Sequence, residues 1–150
     1  MAIILAAVTR SFLIAIISIA VFSLIVDMPI NNILFIFIFG FLSAFILRSL
    51  GFITGLWAEK FDHTATVTNF VITPLSFLSG VFYSIDKLPN FFQIISHINP
   101  FFYMIDGFRY GFLGKSDGSI SIGLIYLIIL SIIMWYLVFY LYKKGYKIKS

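Results

Sequence analysis

A chain of 150 residues that is 61% apolar and 11% charged is far from the composition of a soluble domain, which carries about 25% charged residues. Six acidic and ten basic side chains cannot cover a water-facing surface, so lipid must solvate much of it. The absence of cysteine excludes a disulfide framework and a thiolate metal site. The net charge of +4 does not point to nucleic acid, because Lys143, Lys144, Lys147 and Lys149 gather at the C-terminus, where basic residues act as a topology signal.

About 20 mostly apolar residues cross the hydrocarbon core as a helix. The first such stretch, about 8–26, is uncharged from Ser11 to Val26, between Arg10 and Asp27. It lacks a basic start and is long for a cleavable signal peptide. The second stretch, 32–57, carries Arg48 in its interior. A charge at bilayer depth costs about 2.5–3.5 kcal/mol on insertion scales. Arg48 therefore either snorkels to the interface or contacts an anionic substrate or headgroup. Gly51 and Gly55 follow with the GxxxG spacing that lets two helices approach closely. The connector "AEKFDHTAT" brings Glu59 and Asp62, either a solvated turn or, with Arg10, a face for a partner.

The third stretch is 66–85. Thr73-Pro74 interrupts it, since proline removes one backbone donor and kinks a helix. Ser76 and Gly80 repeat the small-residue spacing, and Phe82 and Tyr83 end the stretch. The segment 86–119 is apolar yet holds Pro89, Asn90, Gln93, His97, Asn99 and Pro100. This pattern predicts two short helices dipping into the outer leaflet with a break at Asn99-Pro100, or else an amphipathic surface loop. Irregular backbone at that depth must be shielded by protein or water. Asp106 and Arg109 stand three apart, the spacing of a pair across one helical turn. The cleanest apolar stretch, 120–142, precedes a basic tail, 143–150, which the positive-inside rule places in the cytoplasm. The expected fold is all-α: a polytopic membrane bundle of about four transmembrane helices plus short re-entrant or interfacial outer helices.

No catalytic, metal or cofactor set emerges. GxxxxGK[ST] and HExxH are absent from the sequence, and Ser79-Gly80 lacks the GxSxG context of a nucleophile elbow. The block Phe61–Gly114, with "FD" at Phe61-Asp62, "TPLSFLSGVFYSIDKLP" at Thr73–Pro89 and "HINPFFYMIDGFRYGFLG" at His97–Gly114, resembles the C-terminal half of ABC-2 type permeases. The resemblance implies the membrane subunit of a bacterial inner-membrane exporter of polysaccharides, lipids or drugs. ATP hydrolysis would fall to a separate ABC ATPase subunit. The chain would match spans three to six of a six-span permease. It would then need a second permease copy or the missing N-terminal half, with membrane lipid around it and no nucleic acid. Arg48, Thr73, Pro74, Phe82, Tyr83, Asn99, Pro100 and Arg109 are then candidates for the pathway or its gate. Arg10, Glu59 and Asp62 are candidates for ATPase coupling, and Gly51, Gly55, Ser76 and Gly80 for helix packing. The alternative is a non-transporting scaffold or truncated remnant of such a permease.

Overall fold

The computed structural model describes residues 2–27, 29–57, 65–81 and 85–144. Among them there are helices and turns and no strand. Three helices are long and apolar enough to cross a membrane: α1 (Ala2–Ser23), α2 (Ile33–Trp57) and a last helix, Ile120–Lys143, here α6. Between α2 and α6 lie three shorter helices, α3 (Ala65–Phe77), α4 (Asn90–Ile98) and α5 (Pro100–Leu113). The expected break at Asn99-Pro100 is present: Asn99 is extended and separates α4 from α5.

The third apolar stretch is shorter as a helix than the sequence suggests. It ends at Phe77, and Gly80 turns the chain with a φ of 77°, a backbone conformation that glycine adopts without a Cβ penalty. At 1.5 Å per residue, α3 is about 20 Å long, less than the roughly 30 Å hydrocarbon core. Its middle, Thr68–Ile72, is a π-helical turn in which the Thr73 N–H and Thr73 Oγ1 both donate to the Thr68 carbonyl. Pro74 follows at once and has no N–H to donate. A π turn is one of the few ways a helix absorbs a proline without breaking.

The long helices are not the core. Most of their apolar surface faces outward, and only 6% of the apolar window of α1 is buried. The buried centre is α5, where Phe101, Phe102, Tyr103, Met104, Asp106, Gly107 and Gly111 are all enclosed. Its glycines set the packing distance. A Cβ on Gly107 would lie 2.0 Å from the Phe39 ring, one on Gly111 2.5 Å from the Ile36 side chain, and one on Gly123 2.9 Å from Tyr103. A second cluster, Val8 and Val138 with Phe12, Ala44, Phe52 and Ile53, joins the start of α1 to the ends of α2 and α6. The α4–α5 hairpin thus caps the opposite end of the bundle from the basic tail.

Gly51 and Gly55 are exposed, and a Cβ on either would meet nothing within 4 Å, so they bring no two described helices together. Ser76 and Gly80 do not share a helix face, because α3 has already ended before Gly80. The close-approach pair is Gly107 and Gly111, the same GxxxG spacing inside α5. Gly107→Ala is therefore expected to lower stability by about 1–3 kcal/mol through overpacking. Gly51→Ala should be neutral or stabilising by up to about 1 kcal/mol, the helix-propensity difference. Thermal unfolding of both variants in detergent micelles checks the contrast; equal melting temperatures would refute it.

Candidate functional site

The polar side chains of the hairpin converge on the end of α3. The last carbonyls of any helix lack intrahelical donors, and at membrane depth no water replaces them. In α3 and its turn the hairpin supplies donors for three of these groups. Asn99 Nδ2 donates to the Leu75 carbonyl at 2.6 Å, Ser96 Oγ to the Leu78 carbonyl at 2.8 Å, and Arg109 Nη2 to the Gly80 carbonyl at 2.6 Å. The Ser76 carbonyl is served locally, by the Ser79 N–H and hydroxyl. Asn99 is buried and has a second task, since its Oδ1 accepts the Phe101 N–H at 3.0 Å and so caps α5. Pro100 occupies the first turn of that helix, where its missing N–H costs nothing.

A carboxylate pair holds the third donor in place. Arg109 Nη1 meets Asp117 Oδ2 at 2.6 Å, with both side chains mostly shielded. Asp106, the sequence-based partner for Arg109, does something else. Its two oxygens accept the backbone N–H groups of Asp117 (2.7 Å) and Gly118 (3.1 Å). They thereby fold the 114–119 loop so that Asp117 faces Arg109. Burial pushes the Asp106 carboxyl above the ordinary carboxylate range, against the opposing pull of those two N–H groups and of Arg109. The other end of α5 is closed by the N–H groups of Asn31 and Asn32, which reach the Gly111 carbonyl at 3.1 and 2.8 Å. Gly114, left-handed with φ 67°, completes the cap.

Thr73, Pro74, Asn99, Pro100 and Arg109 are therefore on α3 or on the clasp that holds it. Arg48 lies elsewhere, on an apolar groove between α1 and α2, and donates to Ser11 Oγ from Nε (3.3 Å) and Nη2 (3.0 Å). Arg10 is exposed on α1. Phe82, Tyr83, Glu59 and Asp62 lie outside the described residues. Ser96, Asp117 and the Gly107–Gly111 pair belong to the site and were not singled out from sequence. The glycine pair carries a legible signal, GxxxG, in a segment whose prolines and polar residues drew attention away from packing.

The sequence pattern described as ABC-2 type transporter matches residues 1–113. This chain belongs to that family. The ABC-2 match takes in α1 to α5, and so includes both the α3 end and the hairpin that clasps it. The chain is 36% identical over 135 residues to "Inner membrane transport permease YadH" of Escherichia coli K12, covering 87% of this chain and 53% of the relative. It is 28% identical over 96 residues to "Nodulation protein J" of Sinorhizobium fredii NGR234, covering 64% of this chain and 37% of that protein. The chain thus spans about half the length of YadH. No solved structure matches significantly. ABC-2 proteins form a transporter family, and the helices place this member as a multi-pass membrane protein.

The clasp makes a measurable claim about Asn99. Asn99→Ala strands the Leu75 carbonyl and the Phe101 N–H together and should cost about 1–3 kcal/mol per unsatisfied buried group. Asn99→Asp keeps the acceptor for Phe101 but turns a carboxylate oxygen toward the Leu75 carbonyl at a buried site, so its loss should be larger. Melting curves of the two variants in one detergent test this order; a reversed order, or no loss in either, would remove Asn99 from the clasp.

Proposed function

We propose that this chain forms part of the membrane permease of an ATP-driven exporter in the bacterial inner membrane. The observation that carries the reading is the hairpin: two short helices that turn at Asn99-Pro100, bury their polar groups against the end of α3 and close one end of the bundle. Such an element suits the exit of a pathway for an amphipathic polysaccharide, lipid or drug. The relative named as an inner membrane transport permease supports a transport role. ATP would be hydrolysed by a separate ABC ATPase subunit. A second permease copy, or an N-terminal half, would complete the pathway.

In this reading residues 66–85 make a fourth crossing, joining spans at about 8–26, 32–57 and 120–142, and the basic tail lies in the cytoplasm with the hairpin outside. Arg10, Glu59 and Asp62 then face the ATPase. Thr73, Pro74, Phe82, Tyr83, Asn99, Pro100 and Arg109 line or brace the exit.

Two measurements test it. A tagged chain co-expressed with its neighbouring genes should retain an ABC ATPase through purification; recovery of the chain without one would favour a scaffold or remnant. The sequence has no cysteine, so single-cysteine variants report topology cleanly. In intact spheroplasts, Ser116→Cys should react with a membrane-impermeant maleimide and Ser150→Cys should not. The opposite labelling would invert the orientation.

A further inference from the structure

Arg48 has a hydrogen-bond acceptor but no counter-charge. Its two donors share one neutral oxygen, Ser11 Oγ, which itself donates to the Ala7 carbonyl at 3.0 Å. Among the described residues no carboxylate pairs with it. Neither α1 nor α2 contains an acidic residue, and neither does α6. At 1.5 Å per residue the guanidinium's backbone stands about 22 Å along α2 from Ile33, within the roughly 30 Å of hydrocarbon. A guanidinium has five donors, so most of its hydrogen-bonding capacity here is unspent.

Beside it lies a groove of about 370 Å³. Phe12, Ala15, Ala44, Leu47 and Phe108 make it apolar, and Arg48 and Ser11 make it cationic and polar on one wall. Ser43 also lines it, is more than nine-tenths buried, and has a hydroxyl with no hydrogen-bond partner among the described residues. The groove therefore offers an anion site beside a slot for hydrocarbon, with an unused hydroxyl in its lining.

We propose that this groove binds one anionic phospholipid, its phosphodiester on Arg48 and Ser11 and an acyl chain along Phe12, Ala15, Ala44 and Leu47. Charge complementarity selects this occupant. The long helices of a second copy would present no carboxylate to Arg48, and a free phosphate would leave the apolar slot empty. A guanidinium also fits two phosphate oxygens at once. The groove shares only Phe108 with the hairpin, and lipid binding is measured without an ATPase or transport, so its failure and that of the export reading are distinguishable.

The experiment is native mass spectrometry of the purified full chain, delipidated and titrated with phosphatidylglycerol or phosphatidylcholine, with circular dichroism as the check on folding. The expected result is one retained phosphatidylglycerol per chain, at least tenfold preference over phosphatidylcholine, and no displacement by glycerol 3-phosphate. Arg48→Gln should weaken binding about tenfold, or about 1.4 kcal/mol, whereas Lys115→Gln, on the exposed 114–119 loop, should not change it. Ala15→Phe, which fills the groove and keeps Arg48, should also abolish retention and decides the matter if Arg48→Gln fails to fold. Undiminished binding in either groove variant, equal retention of both lipids, or displacement by glycerol 3-phosphate would overturn the proposal. So would disulfide-linked dimers of Ala15→Cys, which would put a second copy in the groove.

Discussion

A helix that stops inside a membrane-embedded protein leaves carbonyl oxygens with no water to turn to, and much of this structure follows from satisfying them. The end of α3 is such a place. The π turn at Thr68–Ile72 absorbs Pro74, the left-handed Gly80 turns the chain, and the exposed carbonyls of Leu75, Leu78 and Gly80 are then met from outside by Asn99, Ser96 and Arg109. Each donor needs its own support. Asn99 is fixed by capping α5, and Arg109 by Asp117, which Asp106 positions through the loop backbone. Ser96, Asn99, Asp106 and Arg109 thus spend their hydrogen-bonding capacity inside the protein.

This accounting also explains why α5, and not the long apolar helices, is the buried centre. In lipid there is no hydrophobic gain from hiding one aliphatic face behind another, so association relies on close packing and hydrogen bonds. Gly107 and Gly111 let α2 approach α5 to ring contact with Phe39 and side-chain contact with Ile36. The aromatic ladder His97–Phe102–Tyr103–Tyr126, with successive centroids 5.2, 5.0 and 5.0 Å apart, then ties α4, α5 and α6 together.

Much of this was legible in the sequence. Uncharged stretches located the long helices, Asn99-Pro100 located the break in the hairpin, and Thr73-Pro74 marked the irregularity of α3. What was not legible depends on which groups meet across long separations. The helical spacing of Asp106 and Arg109 suggested a pair, yet Arg109 turns to Asp117 because Asp106 is spent on two backbone N–H groups. GxxxG spacing falls within a helix twice, but spacing alone does not say which pair faces a neighbour: Gly107–Gly111 does, and Gly51–Gly55 faces open space. In the third stretch hydropathy continues past Phe77, whereas the helix ends there and the backbone turns at Gly80.

The uneven burial of the long helices divides the bundle into an enclosed part and an open one. The elements α2, α5 and α6 meet at Gly107, Gly111 and Gly123, where a neighbouring side chain sits closer than a Cβ would allow. Helix α1 meets α2 and α6 in the cluster around Val8 and Val138 and has 6% of its apolar window buried. Most of its apolar surface is left uncovered by this chain, for lipid or another helix to meet.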